Sequence, residues 1–297
     1  MSAVEISDLS LQSLQLSWDS YPAHGKSFRD LDTSLIESFI ARVNKTGRFQ
    51  LKSSIGQNLE KLKLIKGNQI SNAAWLLFGR ENIGYNVHLG RFKTAPHIID
   101  DKMLNGALYK TVEEIMDYLV SHIKVAFEIK GMPTQRTEIF EYPLPALREI
   151  VLNCLIHRDY RSSIDAQIKL FDHDVSFFNP GKLMGDLTLE DLKFDHCRAY
   201  ARNKLFAEAF YLTGDIEKYG SGFLRIREEI LDYPTMKPEI KELPNGLDVS
   251  LAYTQQKTHT GASGAAEKMS GKLSGKILQL IKENPGITIP ELAANIG

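Results

Sequence analysis

The order of apolar and polar positions in the first half of the chain predicts several helices and a strand. A helix is predicted to begin at Asp32 or Thr33, and residues 111–127 form a second amphipathic helical pattern. After an N-terminal remnant of residues 1–16, we interpret residues 17–132 as a mixed α/β segment with no chemistry of its own. Its remaining predicted elements are short helices at 57–65 and 71–79 and a strand at 87–94.

Residues 133–254 are patterned more regularly. Apolar and polar residues alternate in two segments, which is typical of half-buried strands, and Asn245-Gly246 marks a hairpin turn. The order of helix, strand, strand, helix, helix and strand predicts an α+β fold of the sandwich type. The predicted elements are helices at 142–160, 203–214 and 220–231 and strands at 164–171, 175–178 and 247–253.

The first helix of this module carries a narrow polar stripe. Glu149, Asn153 and His157 follow one another at intervals of four, so all three lie on one helix face. The rest of the helix is apolar, which is typical of a buried helix. Buried polar side chains are costly without partners. The partner is either a bound ligand, such as a phosphate with its metal ion, or a hydrogen-bond network inside the fold.

The composition describes an ordinary globular chain. Of 297 residues, 43% are hydrophobic and 25% charged, and the net charge is −1. Because the overall charge gives no attraction for nucleic acid, any DNA contact must come from a local patch or another segment. The two cysteines lack metal-site spacing, and no apolar run predicts a membrane span. We therefore expect a cytoplasmic protein with no membrane partner.

The C-terminal region is predicted to begin a DNA-binding motif. Residues 255–272 are a polar, Gly/Ser/Ala-rich linker. Residues 273–297 contain an apolar helical pattern, the breaker Asn284-Pro285-Gly286 and a capping box at Thr288–Glu291, as in a helix-turn-helix. The recognition helix is then expected beyond Gly297. The alternative is a two-helix tail or a dimerisation arm.

Four ordered motifs give the chain a family resemblance. Glu149-x-x-x-Asn153 resembles the N-box of the gyrase, histidine-kinase and MutL ATPase superfamily (GHKL). With three further segments, it resembles the GHKL-like module of a prokaryotic family of transcriptional regulators, often labelled helicase-related. The chain contains no G-x-x-x-x-G-K-[ST] phosphate loop. The four motifs are Tyr142–Tyr160, Phe177–Leu183, Ala201–Ile226 and residues 287–297.

The resemblance implies a domain order and partners. Full-length members have an AlbA-type (Schlafen-like) N-terminal domain, the GHKL-like module and a C-terminal winged helix-turn-helix. This chain corresponds to the middle and C-terminal parts. The resemblance implies bacterial origin, DNA as partner through the winged helix, and a homo-oligomer.

The resemblance also implies roles for individual residues. Glu149 would be catalytic by activating water, and Asn153 would hold Mg²⁺ against the phosphates of ATP. Asn179 and Gly181 stand where the ATPases carry an Asp-x-Gly-x-Gly box whose Asp binds adenine. The amide of Asn179 lacks that negative charge, which favours weak hydrolysis.

Six more residues are candidates for cofactor binding. Gly220 and Gly222 open a helix and resemble a phosphate-binding turn, although a helix C-cap joined to a tight turn has the same pattern. His157 completes the stripe. Two side chains that could contact phosphate or the nucleotide lid are Arg158 and Arg202, and Asn203 is either part of that lid or a helix N-cap. Arg158 could instead form a local ion pair with Asp159.

Three hypotheses for the function follow. The first is a DNA-binding transcriptional regulator whose GHKL-like module senses a nucleotide or mediates oligomerisation. The second is an ATPase acting on nucleic acid, with Glu149 as its base. The third is a nucleotide-free module for protein contacts. The neutral Asn179 favours the first and third over the second.

Overall fold

The chain forms two units in a computed structural model. The described parts are residues 16–123, 142–184, 187–193 and 200–254 for the first unit, and residues 124–130, 135–141 and 255 for the second. All of the candidate site residues lie in the first unit. The residues described are 16–130, 135–184, 187–193 and 200–255.

A mixed sheet of six strands forms the centre of the first unit. Its order is β4-β3-β7-β8-β10-β9, and every pair of neighbours is antiparallel except β3 with β7. The β3–β7 pairing joins strands from the two segments that the sequence analysis separated near residue 132. The strands of this unit are a small hairpin of β1 (Ile65–Lys66) and β2 (Gln69–Ile70), then β3 (Val87–Thr94), β4 (His97–Leu104), β7 (Ala166–Leu170), β8 (Asp174–Pro180), β9 (Lys237–Leu243) and β10 (Gly246–Ala252).

Eight helices of the described residues accompany the strands. Asp32 caps the first through its carboxylate, which accepts from the backbone N–H of Ser34 and Leu35, as its sequence predicts. The helices are α1 (Thr33–Thr46), α2 (Ile55–Lys61), α3 (Asn72–Phe78), α4 (Leu108–His122), α5 (Leu144–His157), α6 (Leu189–Lys193), α7 (Lys204–Leu212) and α8 (Gly222–Ile230).

Alternating side chains of the sheet form one apolar row. Leu89 lies opposite Ile168, Ile168 opposite Phe177, and Phe177 opposite Val249, and all four are buried. Helix α5 packs against β8 and α8. Because α5 is apolar on most of its circumference, burial against its neighbours stabilises it. The side chains of the polar stripe then need hydrogen-bond or ion-pair partners.

The second unit contains a hairpin of β5 (Val125–Lys130) and β6 (Gln135–Phe140). Its base is closed by the backbone N–H of Lys124, which donates to Glu141 Oε2 at 2.8 Å. The prediction of a helix through Phe127 is therefore wrong in its last turn. Ile123 adopts an extended backbone, and Val125 pairs with Phe140 instead.

The α+β fold is confirmed for the described residues. The strand at 87–94 and the helices opening on Gly222 and closing before Gly214 agree with prediction, whereas β4 and β9 were not named from the sequence. The predicted linker and helix-turn-helix, residues 255–297, lie outside the described residues except for Gln255. No helix in the described ranges is both long and apolar enough to cross a membrane.

Candidate functional site

A cavity of about 580 Å³ lies in the first unit where α5 faces α7, α8 and the ends of β8 and β10. Its wall contains most of the residues selected from the sequence, including the whole polar stripe. The stripe is therefore a feature of a concave surface, and the roles of its members stay predictions. The selected residues on the wall are Glu149, Asn153, His157, Asn179, Gly181, Arg202, Gly220 and Gly222.

Glu149 is buried on this wall, with 8% of its surface exposed. Its carboxylate accepts a hydrogen bond from Asn153 Nδ2 at 3.2 Å and forms an ion pair with Arg225 Nη2 at 2.9 Å. Burial raises the pKa of the carboxyl group above its usual range, and the charge of Arg225 and the hydrogen bond from Asn153 oppose that rise. Because Asn153 donates to Glu149 through Nδ2, its Oδ1 is the amide oxygen of the stripe that can accept a hydrogen bond or bind a metal ion.

The glycine-rich start of α8 lies directly on the stripe. A Cβ atom at Gly222 would lie 2.6 Å from Glu149 Oε1 and 3.0 Å from Asn153 Nδ2, so a larger residue here would push these two side chains aside. Gly220 has φ of 77°, a conformation that favours glycine. The first backbone N–H groups of α8, which have no partner inside the helix, therefore lie close to the stripe.

His157 ends α5 at the far side of the cavity. Burial and the positive charge of Arg202 lower the pKa of the imidazole to about 4, so the ring is neutral near pH 7. Arg202 is itself fixed, because its Nε donates to the carbonyl oxygen of His157 at 2.9 Å and its Nη1 lies 3.6 Å from Asp159. His157 is thus suited to accept or donate one hydrogen bond without carrying charge.

Asn179 and Gly181 lie at the end of β8. Asn179 is 7% exposed, and within the described residues its Oδ1 has no hydrogen-bond partner. An unpaired buried amide is costly and indicates a missing partner. Gly181 has φ of 114°, and a Cβ atom there would lie 2.9 Å from Asp159 Cβ, so the strand end turns tightly beside the cavity.

Two candidates lie outside the cavity wall, and their predicted contact with nucleotide is not supported by their position. Arg158 is 1% exposed and donates to the carbonyl oxygens of Asn86 and Ile164 at 2.7 and 3.1 Å. Its nearest carboxylate is Asp165 at 3.7 Å, so the predicted Arg158–Asp159 ion pair is wrong. Asp159 instead pairs with Arg161 at 2.9 Å.

Asn203 is the second of these residues. It is buried, and its Nδ2 donates to the carbonyl oxygens of Ile156 and Arg158 at 2.8 and 2.9 Å. It occupies the N-cap position of α7, but its side chain makes no capping bond there. Asn203 therefore satisfies the C-terminal carbonyls of α5 rather than a nucleotide lid.

The sequence analysis missed Arg225. A signal existed, since Arg225 is three residues after Gly222 and so shares its helix face. Charged residues on the cavity wall are mostly basic, which favours an anionic ligand. They are the cations Lys182, Arg202, Lys204, Lys218 and Arg225 and the carboxylates Glu149, Glu208 and Glu217.

No metal cluster exists in the part of the chain that the structure describes, where no three His, Cys, Asp or Glu side chains are placed to hold an ion. The residues present still fit Mg²⁺ bound together with phosphates, because that ion needs few protein ligands and takes amide and phosphate oxygens. Two observations fit a nucleotide: the unpaired Oδ1 of Asn179 and the close approach of the start of α8 to Asn153, which the missing side chain of Gly222 allows.

A protein-family model described as "Putative ATP-dependent DNA helicase recG C-terminal" matches residues 164–251. The family is an ATPase-like domain, which indicates a nucleotide-binding module. The matched segment contains Asn179, Gly220 and Gly222 but begins after the polar stripe of α5. No curated protein matches the chain significantly.

One solved structure supports the fold. The chain is similar to the DIP2311 protein from Corynebacterium diphtheriae, with a TM-score of 0.67 and 18% sequence identity. The similarity covers 97% of this chain and 59% of that chain. This chain thus spans little more than half the length of that protein, and the likeness is one of fold alone.

Proposed function

We propose that this chain is the nucleotide-sensing part of a DNA-binding transcriptional regulator. Its cavity binds an adenine nucleotide with Mg²⁺, and turnover is weak or absent. The observation that carries this proposal is the convergence of the α5 stripe, the unpaired amide of Asn179 and the glycine start of α8 on one cavity. The match to an ATPase-like domain family supports it.

Each part of the cavity then has a distinct task. Asn153 offers Oδ1 to Mg²⁺, which would neutralise the phosphates when bound. The N–H groups at the start of α8 hydrogen-bond to phosphate oxygens. Asn179 recognises the base, because an amide presents an acceptor and, after rotation, a donor to a purine edge. His157 stays neutral near pH 7, so it adds no positive charge that would repel the metal ion.

Thermal unfolding with and without Mg²⁺-ATP tests the binding step. At about 100 times its dissociation constant, the ligand should add about 2.7 kcal/mol of stability. Asn153→Ala removes the metal ligand and should abolish the Mg²⁺-dependent part, whereas Glu149→Gln should preserve binding. Absence of any shift at millimolar nucleotide in the wild-type protein contradicts the proposal.

An ATPase is the second candidate. The observation in its favour is a buried carboxylate, Glu149, with a raised pKa beside a potential Mg²⁺ ligand. Against it stands Arg225, whose charge weakens Glu149 as a base in this conformation. Steady ATP turnover at ordinary enzyme rates, lost in Glu149→Gln, would promote this reading.

The DNA-binding part of the proposal rests on the sequence of residues 273–297. We expect DNA binding to require this helix-turn-helix segment, so a chain ending at residue 272 should bind DNA less tightly than the 297-residue chain. Fluorescence anisotropy on both chains at fixed salt measures this. Equal, tight and salt-sensitive binding by both would instead assign the DNA surface to the core. If neither chain binds, the protein-contact hypothesis gains support. A homo-oligomer is proposed on the resemblance alone.

A further inference from the structure

Arg225 connects the two helices that face each other across the cavity. It lies one turn after Gly222 on α8, and its Nη2 is 2.9 Å from Glu149 Oε2 on α5. Its side chain is 36% exposed, whereas that of Glu149 is 9% exposed. The guanidinium group therefore lies between a buried carboxylate and the open space of the cavity.

The other cations of the wall are held more firmly or lie farther out. Arg202 is fixed by the backbone carbonyl groups of His157 and Lys182 and by Asp159. Lys218 pairs with Glu208. By contrast, Arg225 pairs with Glu149, and within the described residues its buried Nε has no hydrogen-bond partner. A guanidinium group carries five N–H donors, so Arg225 has donors left for a second anion.

We propose that Arg225 binds the phosphate groups of the ligand and exchanges its ion pair with Glu149 for that contact. This inference rests on the proposed nucleotide-binding function and adds a residue and a sequence of events to it. Phosphate is a strong competitor, because it carries more charge than a carboxylate and fits the planar fork of arginine with two parallel bonds. Because Gly222 has no side chain, the start of α8 lies directly against the same carboxylate, so Arg225 and the first N–H groups of α8 are close to one another.

The exchange has a consequence for Glu149. Once Arg225 turns to phosphate, the remaining described partner of the carboxylate is the amide of Asn153. Ligand binding therefore breaks the link that Arg225 makes between α8 and α5.

Isothermal titration with four variants tests the inference. The ligands are adenosine, Mg²⁺-ATP and inorganic tripolyphosphate with Mg²⁺. The variants are Arg225→Ala, Arg225→Lys, the control Arg227→Ala, which removes a guanidinium of α8 that does not line the cavity, and the double variant Glu149→Gln/Arg225→Ala. The double variant avoids an unpaired buried carboxylate and so keeps the test valid if the single variant unfolds.

We expect Arg225→Ala and the double variant to weaken ATP and tripolyphosphate binding at least tenfold and to leave adenosine binding within twofold. Arg225→Lys should lie between these and the wild type, and Arg227→Ala should match the wild type. If ATP binds but its affinity is unchanged, or falls in parallel with that of adenosine, the inference is wrong and the proposed function survives. If tripolyphosphate binds in an Arg225-dependent way but neither ATP nor adenosine binds, the proposed nucleotide sensing is wrong and Arg225 is part of an anion site. If no ligand binds to the wild type, both are wrong.

Discussion

Polar side chains at the C-terminal end and in the middle of α5 have different kinds of partner. At the C-terminal end, Arg158 and Asn203 bond to backbone carbonyl oxygens and are almost fully buried. In the middle of the helix, Glu149 accepts a hydrogen bond from Asn153 and forms an ion pair with Arg225, another side chain on the cavity wall. The position of a backbone carbonyl group is fixed by the fold. A side-chain partner can instead change its rotamer and release the group that it binds, so that a ligand can take its place. The comparison separates residues that hold the helix from residues available for binding.

The largest effect on stability is expected for Arg158→Ala. The substitution removes a buried guanidinium group and leaves the carbonyl groups of Asn86 and Ile164 without donors, which costs about 3 kcal/mol. Urea denaturation measures the loss. Arg161→Ala is the matched control, since its ion pair with Asp159 is partly exposed and should contribute less than about 1 kcal/mol. Equal losses of stability in the two variants would mean that the buried bonds of Arg158 hold the fold no more firmly than a partly exposed ion pair does.

A loss of about 2 kcal/mol is expected for Asn203→Ala. The amide supplies two hydrogen bonds to carbonyl groups at the C-terminal end of α5. Asn203→Asp should be worse than alanine, because a carboxylate cannot donate and repels the negative end of the helix dipole. If aspartate were better tolerated than alanine in the same urea titration, the capping role would be wrong.

The polar stripe of α5 could be predicted from the sequence, whereas the residues that contact α5 from other helices could not. Intervals of four residues on one helix are a local property, so the common face of Glu149, Asn153 and His157 follows from periodicity alone. The cap of Asn203 on Ile156 joins residues 47 apart, and only the packing of α7 against α5 creates it. For the same reason, the tie of Arg225 to Glu149 depends on where α8 lies.

Strand prediction shows the same limit. The alternation at 164–171 and 247–253 gave two central strands, since one face of each is buried. The sequence HIIDDKML of β4 has no such alternation, and seven of its eight residues are exposed. An edge strand with little burial leaves no periodic signal, so β4 was missed.

Acid should destabilise the protein through His157 by about 1.5 kcal/mol. The pKa of the imidazole is about 4 in the folded chain and about 6.5 when unfolded. Between these values the unfolded chain binds a proton that the folded chain excludes, so stability falls as pH falls from about 6.5 to about 4. Because His157 is only partly buried beside the cavity, we expect a smaller loss of stability than the full pKa shift implies.

His157→Gln isolates this effect from other titrating groups. The glutamine variant should lose less stability than the wild type over the same pH range, and the two curves should run parallel above about pH 7. Unfolding in urea at half-unit pH steps gives both curves. Identical slopes below pH 6 would mean that His157 carries its proton in the folded state.

The smallest effect on stability is expected for Glu149→Gln, less than about 1 kcal/mol in either direction. Burial already disfavours the charge of Glu149, so a neutral amide of the same shape removes a desolvation cost together with the ion pair. Arg225 is exposed enough to regain water when its partner is neutral. A loss as large as that of Arg158→Ala, measured in the same urea titrations, would instead show that the Glu149–Arg225 pair holds the fold. The middle of α5 would then resemble its C-terminal end, and the mobile partner required for ligand binding would be absent.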